Sequence, residues 1–319
     1  MNIVVLDGYT LNPGDLDWND LRSLGNCTIF DRTSIQEIVE RSKNAEIILT
    51  NKVPLNKEIL SQLHHLRFIG VLATGYNIVD VTAAKEKNII VTNVPAYSTS
   101  SVAQTVFALL LELTHHAGHH SNEVHTGRWS SNLDFTFWDF PLVELKGKTF
   151  GIIGFGNTGR SVAKIAGAFD MIVQISTRSS KTLGNATTEK YSFVDTETLL
   201  KTSDIISLHC SLNDKTHLLI NSETIALMKP TSYLINTGRG GLVDESALAD
   251  ALNQDQIAGA GLDVLSIEPP PKNNPLLSAK NCIITPHIAW ASQAARKRLM
   301  ETVVHNVKSF IEGKSVNIV

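Results

Sequence analysis

The 319 residues carry 28 basic and 31 acidic side chains, a net charge of −3, and no long like-charge run. That balance argues against a partner drawn by bulk charge, whether nucleic acid or an anionic membrane surface. Hydrophobic residues at 43% against 18% charged suffice for a large core, and at about 150 residues per domain two domains are expected.

Cys27, Cys210 and Cys282 are far apart. They form neither a disulfide framework nor a CxxC metal site, which fits a reducing compartment. The opening MNIVVLDGYT lacks a basic n-region and reaches Asp7 early, so no secretory signal is expected. No apolar run approaches the roughly 18 residues of a membrane span. A cytoplasmic protein is the expectation.

Residues 3–6, 46–49, 68–73 and 89–92 are short runs rich in Ile, Val and Leu, and each reads as a buried strand. Between them lie polar segments with helical spacing, as at Ile35, Ile38 and Val39. Strands alternating with helices imply a mainly parallel sheet with helices on both faces. A long helix is predicted over 100–118, capped by Ser100 or Ser101, with Val102, Val106, Leu109, Leu110 and Leu113 on one face. Residues 121–140 have no period and hold Trp129, Phe135, Phe137, Trp138 and Phe140. An aperiodic stretch of this length inside a compact protein is usually functional or an interface.

A second alternating block begins near Lys148. Strands are predicted over 149–153, 172–175, 205–208, 232–235, 259–263 and 282–285, and a last helix over 292–312. His115, His116, His119 and His120 make two i, i+4 pairs of the kind that bind zinc. No carboxylate or thiolate pattern completes a site, and histidines also suit a helix C-terminus, so no metal is expected.

The strongest local motif is Gly154-Phe155-Gly156-Asn157-Thr158-Gly159, a GxGxxG that follows one predicted strand and opens a predicted helix. The first glycine permits the tight turn, the second lets the backbone approach a pyrophosphate, and the third allows close helix–strand packing. Asn157 and Thr158 should lie against the pyrophosphate. The next strand ends Ser176-Thr177-Arg178-Ser179-Ser180. An acid here would bind the ribose 2′-hydroxyl of NAD, whereas Arg178 among hydroxyl neighbours can pair with the 2′-phosphate of NADP. Both cofactors stay open, with Arg178 favouring NADP.

Three further segments each follow a predicted strand. They are Asn236-Thr237-Gly238-Arg239-Gly240-Gly241, Asp263 through Glu268-Pro269, and Pro286-His287-Ile288-Ala289-Trp290. Ligands of open α/β sheets bind beyond the carboxyl ends of the strands, so Arg239, Glu268 and His287 can converge. Arginine can fork onto a carboxylate, and an imidazole, titrating near pH 6.5 when free, can exchange a proton.

With these motifs the sequence closely resembles the D-isomer-specific 2-hydroxyacid dehydrogenase family over essentially the whole chain. The carrying segments are the GxGxxG, NTGRGGLVDE over 236–245, the Asp263 to Pro269 segment and PHIAW over 286–290. Residues 71–80 and 137–141 look most like glycerate dehydrogenases, also called hydroxypyruvate reductases. The resemblance implies Arg239 on the substrate, His287 as the acid, and Glu268 orienting the imidazole and stabilising its charged form. It implies that the amides of Ala73, Thr74 and Gly75 bind the substrate carboxylate, and that Cys210, Ser211, Thr237 and Asp263 line the cofactor path beside Thr177 and Arg178. The expected fold is two doubly wound α/β domains with parallel sheets. A Rossmann NAD(P)-binding domain over 99–288 is inserted into a flavodoxin-like substrate-binding domain made of 1–98 and 289–319. The expected reaction is hydride transfer between NAD(P)H and hydroxypyruvate, giving D-glycerate. A broader glyoxylate or 2-keto-acid reductase and a non-enzymatic dinucleotide-sensing regulator are the alternatives. The family also suggests a homodimer, with 129–140 as its arm and Trp138 near the partner's active site.

Overall fold

The computed structural model describes residues 1–178 and 191–319. The chain divides into two compact units, Met1–Ser98 with Trp290–Val319, and Thr99–Ala289.

The first unit holds five parallel strands: β1 (Asn2–Val5), β2 (Asn26–Ile29), β3 (Ile47–Thr50), β4 (Phe68–Val71) and β5 (Ile90–Thr92). Their order is β2-β1-β3-β4-β5. Side chains alternate across a strand, so β1 feeds two cores. Val4 and Leu6 pack with Ile48, Ile69 and Val91 on one face. Ile3 and Val5 pack with Ile47, Leu49 and Phe68 on the other, under the helix Gln293–Ile311 through Leu299, Val303 and Val307.

The second unit holds seven parallel strands: β6 (Thr149–Ile153), β7 (Ile172–Ser176), β8 (Tyr191–Phe193), β9 (Ile205–Leu208), β10 (Tyr233–Asn236), β11 (Gly259–Leu262) and β12 (Cys282–Ile284). Their order is β12-β11-β10-β9-β6-β7-β8. The helix Thr99–His115 covers one face, where Val106, Leu109, Leu110 and Leu113 meet Phe150, Ile152 and Ile235. The other face is a separate core built on Ile206, Leu208, Leu234 and Leu262. The α/β architecture with two doubly wound parallel sheets is the one the sequence implies.

Three local expectations need correction. The strands β2 and β8 were not among those predicted: both are edge strands, only partly buried, with the polar sequences NCTI and YSF. The predicted helix over 100–118 stops at His115, because His116 turns left-handed at φ +48°, and a second helix, Ala117–His125, follows. Ser101 does not cap the first helix. It lies inside it, and its hydroxyl donates to the Ala289 carbonyl at 2.6 Å.

The aromatic stretch after Ala117–His125 is held by charge. Both Arg128 terminal nitrogens donate to the Asp139 carboxylate at 2.6 Å, and His119 Nε2 meets the same carboxylate at 2.6 Å. Arg128 above all, with His119, keeps the Asp139 carboxyl well below its ordinary range. Phe140 packs against the His116 and His119 rings, so these histidines are occupied with the arm. Among the described residues no group of three or more His, Cys, Asp or Glu is set to hold a metal, and no helix is long and apolar enough to cross a membrane.

Candidate active site

In the second unit, six of the seven strands lead at their carboxyl ends into a segment the motifs single out. Gly154 follows β6, and Thr177 and Arg178 follow β7. Cys210 and Ser211 follow β9, and Thr237 and Arg239 follow β10. Asp263 follows β11, and His287 follows β12. Parallel pairing places all six ends on one edge, so residues more than a hundred positions apart share it.

The glycine turn has the shape a pyrophosphate requires. Gly154 sits at φ +97°, and a Cβ there would stand 2.5 Å from the Cys210 nitrogen. A Cβ on Gly159 would stand 2.3 Å from the Gly154 carbonyl oxygen, so helix and strand touch. Gly156 is different: nothing lies within 4 Å of the place its Cβ would take. It caps the helix Asn157–Ala168 without a side-chain hydrogen bond, leaving first-turn N–H groups for an anion. Asn157 is exposed beside it and Thr158 half-buried. Across the edge, the buried Thr237 hydroxyl has no partner among the described residues. An orphaned buried hydroxyl is costly, and a polar ligand relieves it. The residues present therefore fit a dinucleotide.

Arg178 is exposed just past β7, and its guanidinium opposes the burial that pushes the Cys210 thiol up. Its neighbours Ser179 and Ser180 lie outside the described residues. Ser211 is exposed, and its carbonyl accepts from the Thr216 hydroxyl at 2.7 Å.

The candidate chemical centre is a pair. His287 Nδ1 and Glu268 Oε2 are 2.6 Å apart, and Glu268 Oε1 accepts from the Leu265 amide at 3.0 Å. His287 Nε2 makes no hydrogen bond among the described residues. The His287 backbone lies at φ +55°, a left-handed position that disfavours a side chain. Asp263 holds it there. Its carboxylate is 1% exposed and accepts from Thr285 Oγ1 at 2.6 Å, Ile288 N at 2.9 Å and Ala289 N at 2.8 Å, on both sides of His287. The sequence places Asp263 along the cofactor path; in the structure its oxygens are engaged by the His287 segment.

Arg239 is exposed in extended backbone, with Nη1 donating to the Gly238 carbonyl at 2.8 Å. Beneath it the buried Asn236 clamps the turn, accepting from Gly238 N at 3.0 Å and donating to the Arg239 carbonyl at 2.9 Å. A Cβ on Gly240 would come within 1.9 Å of the Leu265 carbonyl carbon. The Arg239 loop is thus laid directly on the backbone that leads to Glu268. Asn236 had no role in the sequence reading; a polar residue ending the apolar strand YLIN was the available signal.

Ala73, Thr74 and Gly75 lie in the first unit, past the end of β4. The Thr74 hydroxyl donates to the Val94 carbonyl at 2.8 Å, and Asn93 Nδ2 donates to the Thr74 carbonyl at 2.7 Å. The loop is fixed, yet the amides of Ala73, Thr74 and Gly75 donate to no acceptor among the described residues.

Comparison with known proteins decides the family. The model of the D-isomer specific 2-hydroxyacid dehydrogenase NAD binding domain matches residues 107–289. The chain belongs to the D-isomer specific 2-hydroxyacid dehydrogenases. As a member of that family it is an NAD(P)-dependent oxidoreductase. This dehydrogenase is 50% identical to a hydroxypyruvate reductase of Blautia hydrogenotrophica, over 100% of this chain and 99% of that protein. It is 42% identical to a glycerate dehydrogenase of Methylorubrum extorquens, covering 89% of this chain and 88% of that one. Among solved structures it resembles an acyclic imino acid reductase in complex with NADPH and D-Arg, at 33% identity and a TM-score of 0.86 over 100% of both chains.

Proposed function

We propose that this dehydrogenase interconverts hydroxypyruvate and D-glycerate, with glyoxylate as a second substrate. The observation that carries the reaction is the His287–Glu268 pair with its unbonded Nε2. The full-length likeness to the hydroxypyruvate reductase supports the substrate.

Arg239 forks onto the substrate carboxylate and draws charge toward the keto oxygen, which gains negative character as the carbon is reduced. His287 Nε2–H gives its proton to that oxygen, and in the reverse direction neutral Nε2 takes the hydroxyl proton back. Glu268 accepts from Nδ1–H, which fixes the tautomer and stabilises the imidazolium. The free amides of Ala73, Thr74 and Gly75 are assigned to the substrate carboxylate. Gly154, Gly156, Asn157, Thr158 and Gly159 are assigned to the pyrophosphate. Cys210, Ser211, Thr237 and Asp263 are assigned to the path from the adenosine to the nicotinamide, and Thr177 and Arg178 to the adenosine ribose. A bound nicotinamide supplies or takes up the hydride, so proton handling is left to the protein. Arg178 favours NADPH. The active protein is proposed to be a cytoplasmic homodimer.

Steady-state kinetics on hydroxypyruvate, glyoxylate, pyruvate and phosphohydroxypyruvate, each with NADH and NADPH, tests this. The highest kcat/KM is expected for hydroxypyruvate, with glyoxylate second. A preference for pyruvate or for the phosphorylated acid overturns the substrate. If NADH exceeds NADPH by orders of magnitude, Arg178 does not bind a 2′-phosphate.

A further inference from the structure

Glu245 ends the segment NTGRGGLVDE and lies in the first turn of the helix Glu245–Asn253. An acid there commonly serves its own helix terminus. This helix is already capped, because the Asp244 side chain accepts from the amides of Ser246 and Ala247 at 3.1 Å. The Glu245 carboxylate reaches elsewhere. Oε1 accepts from Ser266 N at 2.5 Å, and Oε2 accepts from Asn274 Nδ2 at 2.7 Å.

Those two partners bracket Glu268. Ser266 stands two residues before it and Asn274 six after. Asn274 is itself buried, and its Oδ1 accepts from Leu276 N at 3.0 Å, next to the core residue Leu276. Glu245 therefore closes both ends of the segment whose middle carries Glu268. From the inside, Glu268 Oε1 takes the neighbouring amide, Leu265 N. Consecutive amides are thus split between the two glutamates, one to each. The close approach of Gly240 to Leu265 leaves this backbone little room to slide in the other direction.

We propose that Glu245 is a positioning residue for the proton-transfer pair: it holds the 266–274 segment so that Glu268 Oε2 meets His287 Nδ1. It touches neither substrate nor cofactor in this role. Glu268 is the one carboxylate within ion-pair distance of His287 among the described residues, so its displacement leaves the imidazolium without its counter-charge. This inference rests on His287 acting as the acid.

The test compares wild type with Glu245→Ala and Glu245→Gln, using the holoenzyme and hydroxypyruvate. Losing the grip on both ends should lower kcat of reduction roughly 10- to 100-fold, as is usual for residues that orient a reacting group. KM should change less than about threefold, since no substrate contact is removed. The alkaline fall of kcat should move to lower pH in Glu245→Ala, because a less supported imidazolium loses its proton earlier. Glu245→Gln keeps one oxygen for Ser266 N but turns an amide toward Asn274 Nδ2, so an intermediate profile is expected. Cofactor affinity by fluorescence titration should stay within about twofold and certifies the fold. Two results overturn the proposal: a Glu245→Ala pH profile that superimposes on wild type, or a loss confined to thermal stability at unchanged kcat. Failure of the underlying reading is separable, because His287→Ala would then keep turnover whatever Glu245 does.

Discussion

At the scale of single residues, the site is decided by which nitrogen of His287 is free. Glu268 occupies Nδ1, Asp263 fixes the backbone on either side, and Nε2 has no partner among the described residues, which suits the proposed proton transfer. His287→Ala should lower kcat of reduction roughly 10²- to 10⁴-fold. The sign of the pH dependence follows from the role. Reduction needs the protonated ring, so its rate falls as pH rises; oxidation of glycerate needs the neutral ring, so it gains. Initial rates in both directions across pH settle the assignment, and opposite trends would remove His287 as the donor. Arg239, Glu268 and His287 could be proposed from the sequence because their chemistry is rare outside a site and each sits in a dense motif. The residues that hold them were not proposed in that role. Asn236 clamps its own turn and shows only as a polar residue ending an apolar strand, whereas Glu245 and Asp263 work through contacts made only after separate strand ends meet, which no spacing in one segment encodes.

At the scale of elements, legibility followed apolar sequence: the half-buried edge strand β12, Cys-Ile-Ile, stands out as well as the interior strands. Strands of the sheet interior, such as β6, β9 and β10, are continuous apolar runs and stand out. The edge strands β2 and β8 need fewer apolar side chains and read as loop. The break at His116 was also hidden, since the left-handed residue is a histidine rather than a glycine or proline. A pH consequence belongs to this scale. His209 sits at the end of β9, where its amide donates to the Ile153 carbonyl at 2.7 Å and its Nε2 meets Ser207 Oγ at 2.8 Å. Burial holds its imidazole down to about 4. Unfolded, a histidine takes its proton near pH 6.5, so between these values the unfolded chain binds more protons. Stability is accordingly unaffected above that window and lost as pH falls through it, by about 3 kcal/mol at the acid end. His209→Gln should flatten this acid slope. Denaturant unfolding at pH 7, 6, 5 and 4 gives the measurement, and equal slopes for the variant and wild type would refute the attribution.

At the scale of the whole molecule, one surface is at odds with a lone chain. Phe135 is 89% exposed and Trp138 64%, with Leu133 beside them in sequence and equally open. Large side chains are not usually left this bare together unless something covers them. The arm carrying them is nonetheless held firm, by the Arg128–Asp139 fork and by the Trp129 indole donating to the Phe135 carbonyl at 2.9 Å. A fixed apolar arm is what a second copy of the chain would cover, and two-fold symmetry would use each contact twice. Burying such aromatics on both copies would supply apolar area to offset the freedom lost on association. If the arm is the interface, the double change Phe135→Asp with Trp138→Asp should give monomers by light scattering at micromolar concentration, where a dimer is expected of the wild type. The glycine turn and Thr237 lie outside the altered stretch, so NADH binding should persist in that monomer. A wild-type protein already monomeric at micromolar concentration would take the arm out of any assembly role.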